Sequence, residues 1–93
     1  MNWAIKNPPK TDTFFLPNEE HIATVSSDDY VKLIFVDEHN NAERMWVKVI
    51  SINEKYWQGT LENKAVTLTI KHGALVIFKP EQIIDVLKKD IFK

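Results

Sequence analysis

The residues with the reach for chemistry are few and scattered. Three histidines, His21, His39 and His72, would be the first ligands sought for a metal ion, but none stands at the short spacings that zinc sites use. His21 falls in a segment with a helical start, His39 in a hairpin loop and His72 in a turn, so each reads as an exposed loop histidine. Nucleophilic catalysis needs a hydroxyl or amine activated by a neighbouring base. Ser26 and Ser27 lie in a turn, Ser51 lies in a strand, and no nucleophile-elbow pattern surrounds any of them. The chain has no cysteine, which removes thiolate ligands, cysteine nucleophiles and disulfides together and fits a reducing compartment. No catalytic residue, metal site or cofactor is assigned, and the expectation is a cytoplasmic protein that is not an enzyme.

What remains is recognition. The stretch "ERMWVKVISINEKYWQGTLENK", Glu43 to Lys64, carries two of the three tryptophans and one of the two tyrosines, yet no Cys, His or Asp. An antiparallel hairpin turning at Asn53 to Lys55 would lay Glu43 to Lys48 beside Gln58 to Asn63, so that acid, base and amide meet at one end next to an aromatic. The candidate partner-binding residues are Arg44, Trp46, Lys48, Tyr56, Trp57 and Asn63. Tryptophan, tyrosine and arginine are the favoured anchors of protein interfaces. The plainer reading is that Asn63 satisfies loop backbone groups and Glu43 pairs with a surface lysine, since exposed ion pairs are cheap and common. Period two makes the aromatics informative: if Met45, Val47 and Val49 face the core, Trp46 faces away, and Tyr56 and Trp57 likewise part. Trp46 must then be covered from within, by Phe14, Phe15 or Trp3, or else by a partner.

Length and composition bound these alternatives. At 93 residues the chain suits a single domain over residues 1–93, with 1–16 as an arm packed on a core formed by 17–93. Hydrophobic residues are 44% and charged residues 27% of the chain, ordinary globular values that argue against disorder. No window approaches the ~20 apolar residues of a membrane span, and the start "MNWAIKNPPK" has no long apolar run, so neither anchor nor export is expected. The net charge of −1 hides an asymmetry: residues 1–47 hold eight acids against four bases, and residues 48–93 five acids against eight bases. The lysines of the second half are spread out, whereas phosphate tracking needs a concentrated patch, so nucleic acid is disfavoured and an unidentified protein is the expected partner, with binding of single-stranded nucleic acid or a small ligand by a small β-barrel as the alternative. Monomer and homodimer both stay open, because exposed strand edges invite pairing and the tail can equally cover them.

The elements that must position these residues are mostly strands. Pro17, Asn18, Glu19 and Glu20 are a capped, acidic helix start, and Ser26 to Asp29 form a turn. From Tyr30 the pattern alternates, with Val31, Leu33 and Phe35 on one face; "DEHNNAE" then reverses the chain. A long strand from about Arg44 to Ile52 puts Met45, Val47 and Val49 on one side and Trp46, Lys48, Ile50 and Ile52 on the other. Tyr56 to Glu62 is a third strand, in which Gly59 marks a bend or the close approach of another backbone. "AVTLTI" alternates through Val66, Leu68 and Ile70 as a fourth, Lys71 to Gly73 turn, and "ALVIF" is a fifth. Pro80 to Gln82 reads as a helical turn; residues 83–92 stay open, Ile83, Leu87 and Ile91 supporting a helix and Ile84 and Val86 an edge strand. The expected architecture is mainly β with minor α. It is a small, bent antiparallel sheet or partly open, SH3-like barrel of about five strands, with a short helix before it and a C-terminal helical segment left open.

In "VKLIF" at 31–35, "ERMWVKV" at 43–49, "GTLEN" at 59–63 and Gly73 with "VIF" at 76–78, the chain resembles a small bacterial family known as domain of unknown function 2314. Those motifs match in order from Pro17 to about Val86. Ala65 stands where the family often has a proline and Ala74 where it often has an aspartate. The resemblance implies an accessory or interaction domain, found alone or joined to modules such as ankyrin repeats, and carries over no catalytic residue.

Overall fold

A computed structural model describes residues 3–9 and 16–89. Its elements run β1 (Trp3–Lys6), α1 (Glu19–Ala23), β2 (Tyr30–Asp37), β3 (Ala42–Ile52), β4 (Trp57–Leu61), β5 (Leu75–Phe78), a 3-10 turn (Pro80–Gln82) and β6 (Asp85–Leu87). All pairings are antiparallel, in the order β1-β2-β3-β4-β5. β6 adds to the edge of β2 that β1 leaves free: β1 takes Ile34 to Asp37, and β6 takes Tyr30 to Lys32. The sheet therefore has five lanes, curled into half a barrel.

Alternation explains the inner face. Val31, Leu33 and Phe35 of β2 and Met45, Val47 and Val49 of β3 are buried with Leu61, Val76 and Phe78, and Trp3 stacks on Phe35 with ring centroids 5.5 Å apart. Gly59 belongs to this face: a Cβ there would strike Val47 Cγ1 and the Lys48 carbonyl, the close approach its position in the strand predicts. Gly73, at φ +84°, supplies the left-handed residue of the turn into β5.

Several expectations are corrected. Residues 65–70 form no strand; Val66 is 91% exposed while Leu68 is buried. The three central amides are diverted: those of Val66, Thr67 and Leu68 all donate to the Glu43 carboxylate, which takes them out of any ladder. Residues 62–72 are instead a long β4–β5 loop, closed by hydrogen bonds of the Leu61 N–H to Ala74 O (2.9 Å) and of the Gly73 N–H to Leu61 O (2.7 Å). Its Leu68, Ala65 and Ile70 pack on the core.

The arm is partly a strand, β1, so the sheet begins before any helix. The helix expected ahead of the sheet is a five-residue turn between β1 and β2, without a buried residue. Nor do residues 83–88 form the helical segment left open for the C-terminus: residues 85–87 pair with β2, and Ile83, Ile84 and Val86 are buried. Helix is minimal among the described residues. Phe14, Phe15 and Ile91, to which packing roles were given, lie outside the described residues.

Candidate interaction face

β3 is where the two faces are sorted. Between Val49 and Ser51 its register with β4 shifts, leaving Ile50 unpaired and 45% exposed; beyond the shift Ser51 pairs with Gln58 and Ile52 with Trp57. A bulge reverses the inside–outside phase of everything after it. Ile52 thus joins the face of Trp57 and leaves that of Trp46, against the simple alternation expected of the strand. Before the bulge, Met45, Val47 and Val49 point inward and Arg44, Trp46 and Lys48 outward.

Register then fills in the outer face. Lys32 lies opposite Trp46 across β2–β3 and opposite Asp85 across β2–β6, while Tyr30 lies opposite Lys48 on one side and Leu87 on the other. Directly opposed residues share a face. The Lys32 Nζ stands 5.2 Å from the centroid of the Trp46 ring, a cation–π contact. Both backbone groups of Trp46 are held: its N–H donates to the Asn63 Oδ1, and its carbonyl accepts the Glu62 N–H at 3.0 Å. Asn63 thus satisfies a backbone group, and Glu43 holds the loop through three amides without the surface lysine expected of it. Partial burial by itself would raise the Glu43 pKa, but the amides of Val66, Thr67 and Leu68 hold it below the ordinary carboxylate range.

Tyr30, Trp46, Glu62, Asn63 and Leu87 line an open depression of about 450 Å³. Its two irregular walls are both tied by carboxylates. Glu43 fixes the loop that carries Glu62 and Asn63. Asp29, fully buried, fixes the segment after Leu87: it accepts the Lys88 Nζ at 2.6 Å and the Lys89 N–H at 3.0 Å, besides the Ser26 N–H at 2.9 Å. Burial alone would raise the Asp29 pKa; the Lys88 ammonium and the two amides outweigh it and hold the group at about 2.

Of the six candidate residues, the outer face gathers four: Arg44, Trp46, Lys48 and Asn63. Lys48 stands 3.9 Å from the Asp28 carboxylate, both side chains well exposed. Tyr56 and Trp57 are elsewhere. Trp57 packs its ring on Phe78 (6.1 Å between centroids) on the core side. Tyr56 is 38% exposed at the Asn53 turn, about 20 Å along β3 from Trp46. Trp3, expected as a cover for Trp46, sits on Phe35 instead.

The face also contains Tyr30, Lys32, Glu62 and Leu87, which sequence reasoning missed. Lys32 and Tyr30 had a signal: closing the β2–β3 turn at Asp37 and Asn41, whose side chains do bond each other, puts Lys32 opposite Trp46 and Tyr30 opposite Lys48. Leu87 had none, because β6 reaches β2 across more than fifty residues.

The histidines are dispersed: His21 lies in α1, His39 is 3.7 Å from Glu38 in the β2–β3 turn, and His72 Nε2 is 3.3 Å from a Glu62 carboxylate oxygen. Among the described residues no group of three or more His, Cys, Asp or Glu could hold a metal ion, and no helix is long and apolar enough to cross a membrane. No curated protein and no solved structure matches the chain. The family model of uncharacterised proteins conserved in bacteria, DUF2314, matches residues 1–90, and the chain belongs to that family.

Proposed function

We propose that this chain is a non-catalytic interaction module that docks a protein partner on the outer face around Trp46. One observation carries the reading: a half-buried indole sits on the side of β3 opposite a filled core, in an open depression. A large ring left half in water is an unspent source of binding energy, and such rings are typical anchors. Its backbone is held by Asn63 and Glu62, so the strand that presents the ring needs no ordering at the moment of binding. Trp57, which the core uses, is not part of the docking face.

The test is capture from native cytoplasmic lysate, the compartment that a cysteine-free chain suits. The full chain, its Trp46→Ala variant and a control, Val66→Ala, in the exposed loop, serve as baits. A saturable partner held by wild type and control but lost by Trp46→Ala, with the melting temperature kept within a few degrees, supports the reading. Retention by Trp46→Ala, or no saturable partner at all, overturns it.

Single-stranded nucleic acid is the alternative, favoured by the cations beside an aromatic ring, since bases stack on such platforms. Against it, Asp28 and Asp85 stand directly beside those cations.

A further inference from the structure

We infer that the partner presents an acidic segment with one apolar or aromatic side chain, which enters the depression between Tyr30, Trp46 and Leu87 while flanking carboxylates lie over Lys32 and Lys48. The inference rests on the reading of the Trp46 face as a docking surface and adds the chemistry of what docks.

The placement of charge is the first reason. Alternation sets Arg44 and Lys48 two residues to either side of Trp46 on its own face, each about 7 Å away along the strand. The β2–β3 register sets Lys32 directly opposite. The indole is therefore bordered by cations on three sides. Its ring is already engaged by the Lys32 ammonium at 5.2 Å, so an arriving cation would be repelled from that side, whereas a carboxylate finds complementary charge there.

The second reason is how the local acids are occupied. Glu62, the one carboxylate among the described lining residues, has the His72 imidazole 3.3 Å away. Asp28 touches Lys48 only at 3.9 Å, with 63% of its side chain exposed. An ion pair this exposed contributes little, so a partner carboxylate can replace Asp28 at little cost. The walls contributed by Tyr30 and Leu87 suit an apolar anchor rather than a further charge.

The pattern fits a short peptide segment better than a nucleic-acid strand. A peptide can place carboxylates over the two lysines and carry none beyond them. A phosphate backbone bears a charge at every nucleotide, and on leaving the Trp46 ring it would meet Asp85 opposite Lys32, Asp28 beside Lys48, or Glu62.

The test uses short capped peptides with a central phenylalanine, identical but for flanking residues that are glutamate, serine or lysine. Each is titrated into the ¹⁵N-labelled full chain, with poly(dT) in parallel. The glutamate peptide is expected to shift the Trp46 indole N–H and the Tyr30 and Leu87 amides, and to bind about tenfold or more tightly than the serine peptide at low salt. In the Lys32→Glu/Lys48→Glu variant, with an unchanged circular dichroism spectrum, the order should invert so that the lysine peptide binds best. Equal binding of all three peptides at Trp46 overturns the acidic chemistry and leaves the docking face standing. A larger, salt-sensitive response to poly(dT) overturns it in favour of nucleic acid. If no peptide moves the Trp46 signals the inference also falls; the docking face is then judged by the Trp46→Ala capture, in which no peptide is used.

Discussion

Two carboxylates fasten the two irregular walls of the outer depression, and they do so by different chemistry. Glu43 holds the 62–72 loop through three neutral donors, the consecutive amides of Val66, Thr67 and Leu68, at 2.8 to 3.1 Å. It remains partly exposed. Asp29 is fully buried and holds the segment after β6 through an ammonium, Lys88, as well as the amides of Lys89 and Ser26. The difference teaches where each clasp is vulnerable. Removing Glu43 releases three amides of an exposed loop, whereas removing Asp29 takes a fully buried carboxylate from one ammonium and two amides at once.

The largest effect is therefore expected at Asp29. Asp29→Ala should cost about 2 to 3 kcal/mol, because one ammonium and two amides together lose a charged acceptor, read as a drop in the urea midpoint. If the loss is under about 1 kcal/mol, the Lys88 contact contributes nothing and the contrast with Glu43 collapses. Acid sharpens the same point. A carboxyl whose folded-state pKa is depressed stabilises the fold at pH values above its ordinary pKa of 3.8, and that stabilisation is lost as pH falls through the folded value of about 2. Between those limits wild type should lose roughly 2 kcal/mol on this account, and Asp29→Asn should show a flatter acid limb. An identical acid limb in both proteins would assign the loss to other groups.

Glu43→Gln comes next, at about 1 to 2 kcal/mol, because the amide oxygen keeps part of the acceptor role without the charge. Its signature is local. Hydrogen exchange should quicken at Val66, Thr67 and Leu68 and stay unchanged at Lys89; a uniform change would show that the two clasps are not independent. The smallest effect belongs to Lys48→Ala. Its pair with Asp28, at 3.9 Å between exposed side chains, should be worth under about 0.5 kcal/mol. A larger loss would mean that exposure is not what separates this pair from Asp29 and Lys88.

Legibility in the sequence followed the range of the interaction. The strands at Tyr30, Ala42, Trp57 and Leu75 were readable because period two is written in adjacent residues, as were the turns at Asn53 and Gly73. Gly59 was readable too, since a glycine inside an alternating run has few reasons to be there. The false strand at 65–70 has the same alternation as a true one. What denies it a ladder is a carboxylate more than twenty residues away. The bulge at Ile50 was hidden for another reason: apolar residues on both sides of β3 give no sign of which phase the strand is in.

By itself the sequence determined that Trp46 must emerge from the sheet on the side opposite Met45 and Val47, because a pleated strand offers no other choice. It also determined that the chain has no thiol chemistry. Tertiary structure alone decided that Leu87 walls the ring and that Trp57 belongs to the core. Those outcomes depend on register, a one-residue bulge and the docking of the chain's end strands. Each is set by competition among distant groups for the same backbone amides, and no local pattern records the winner.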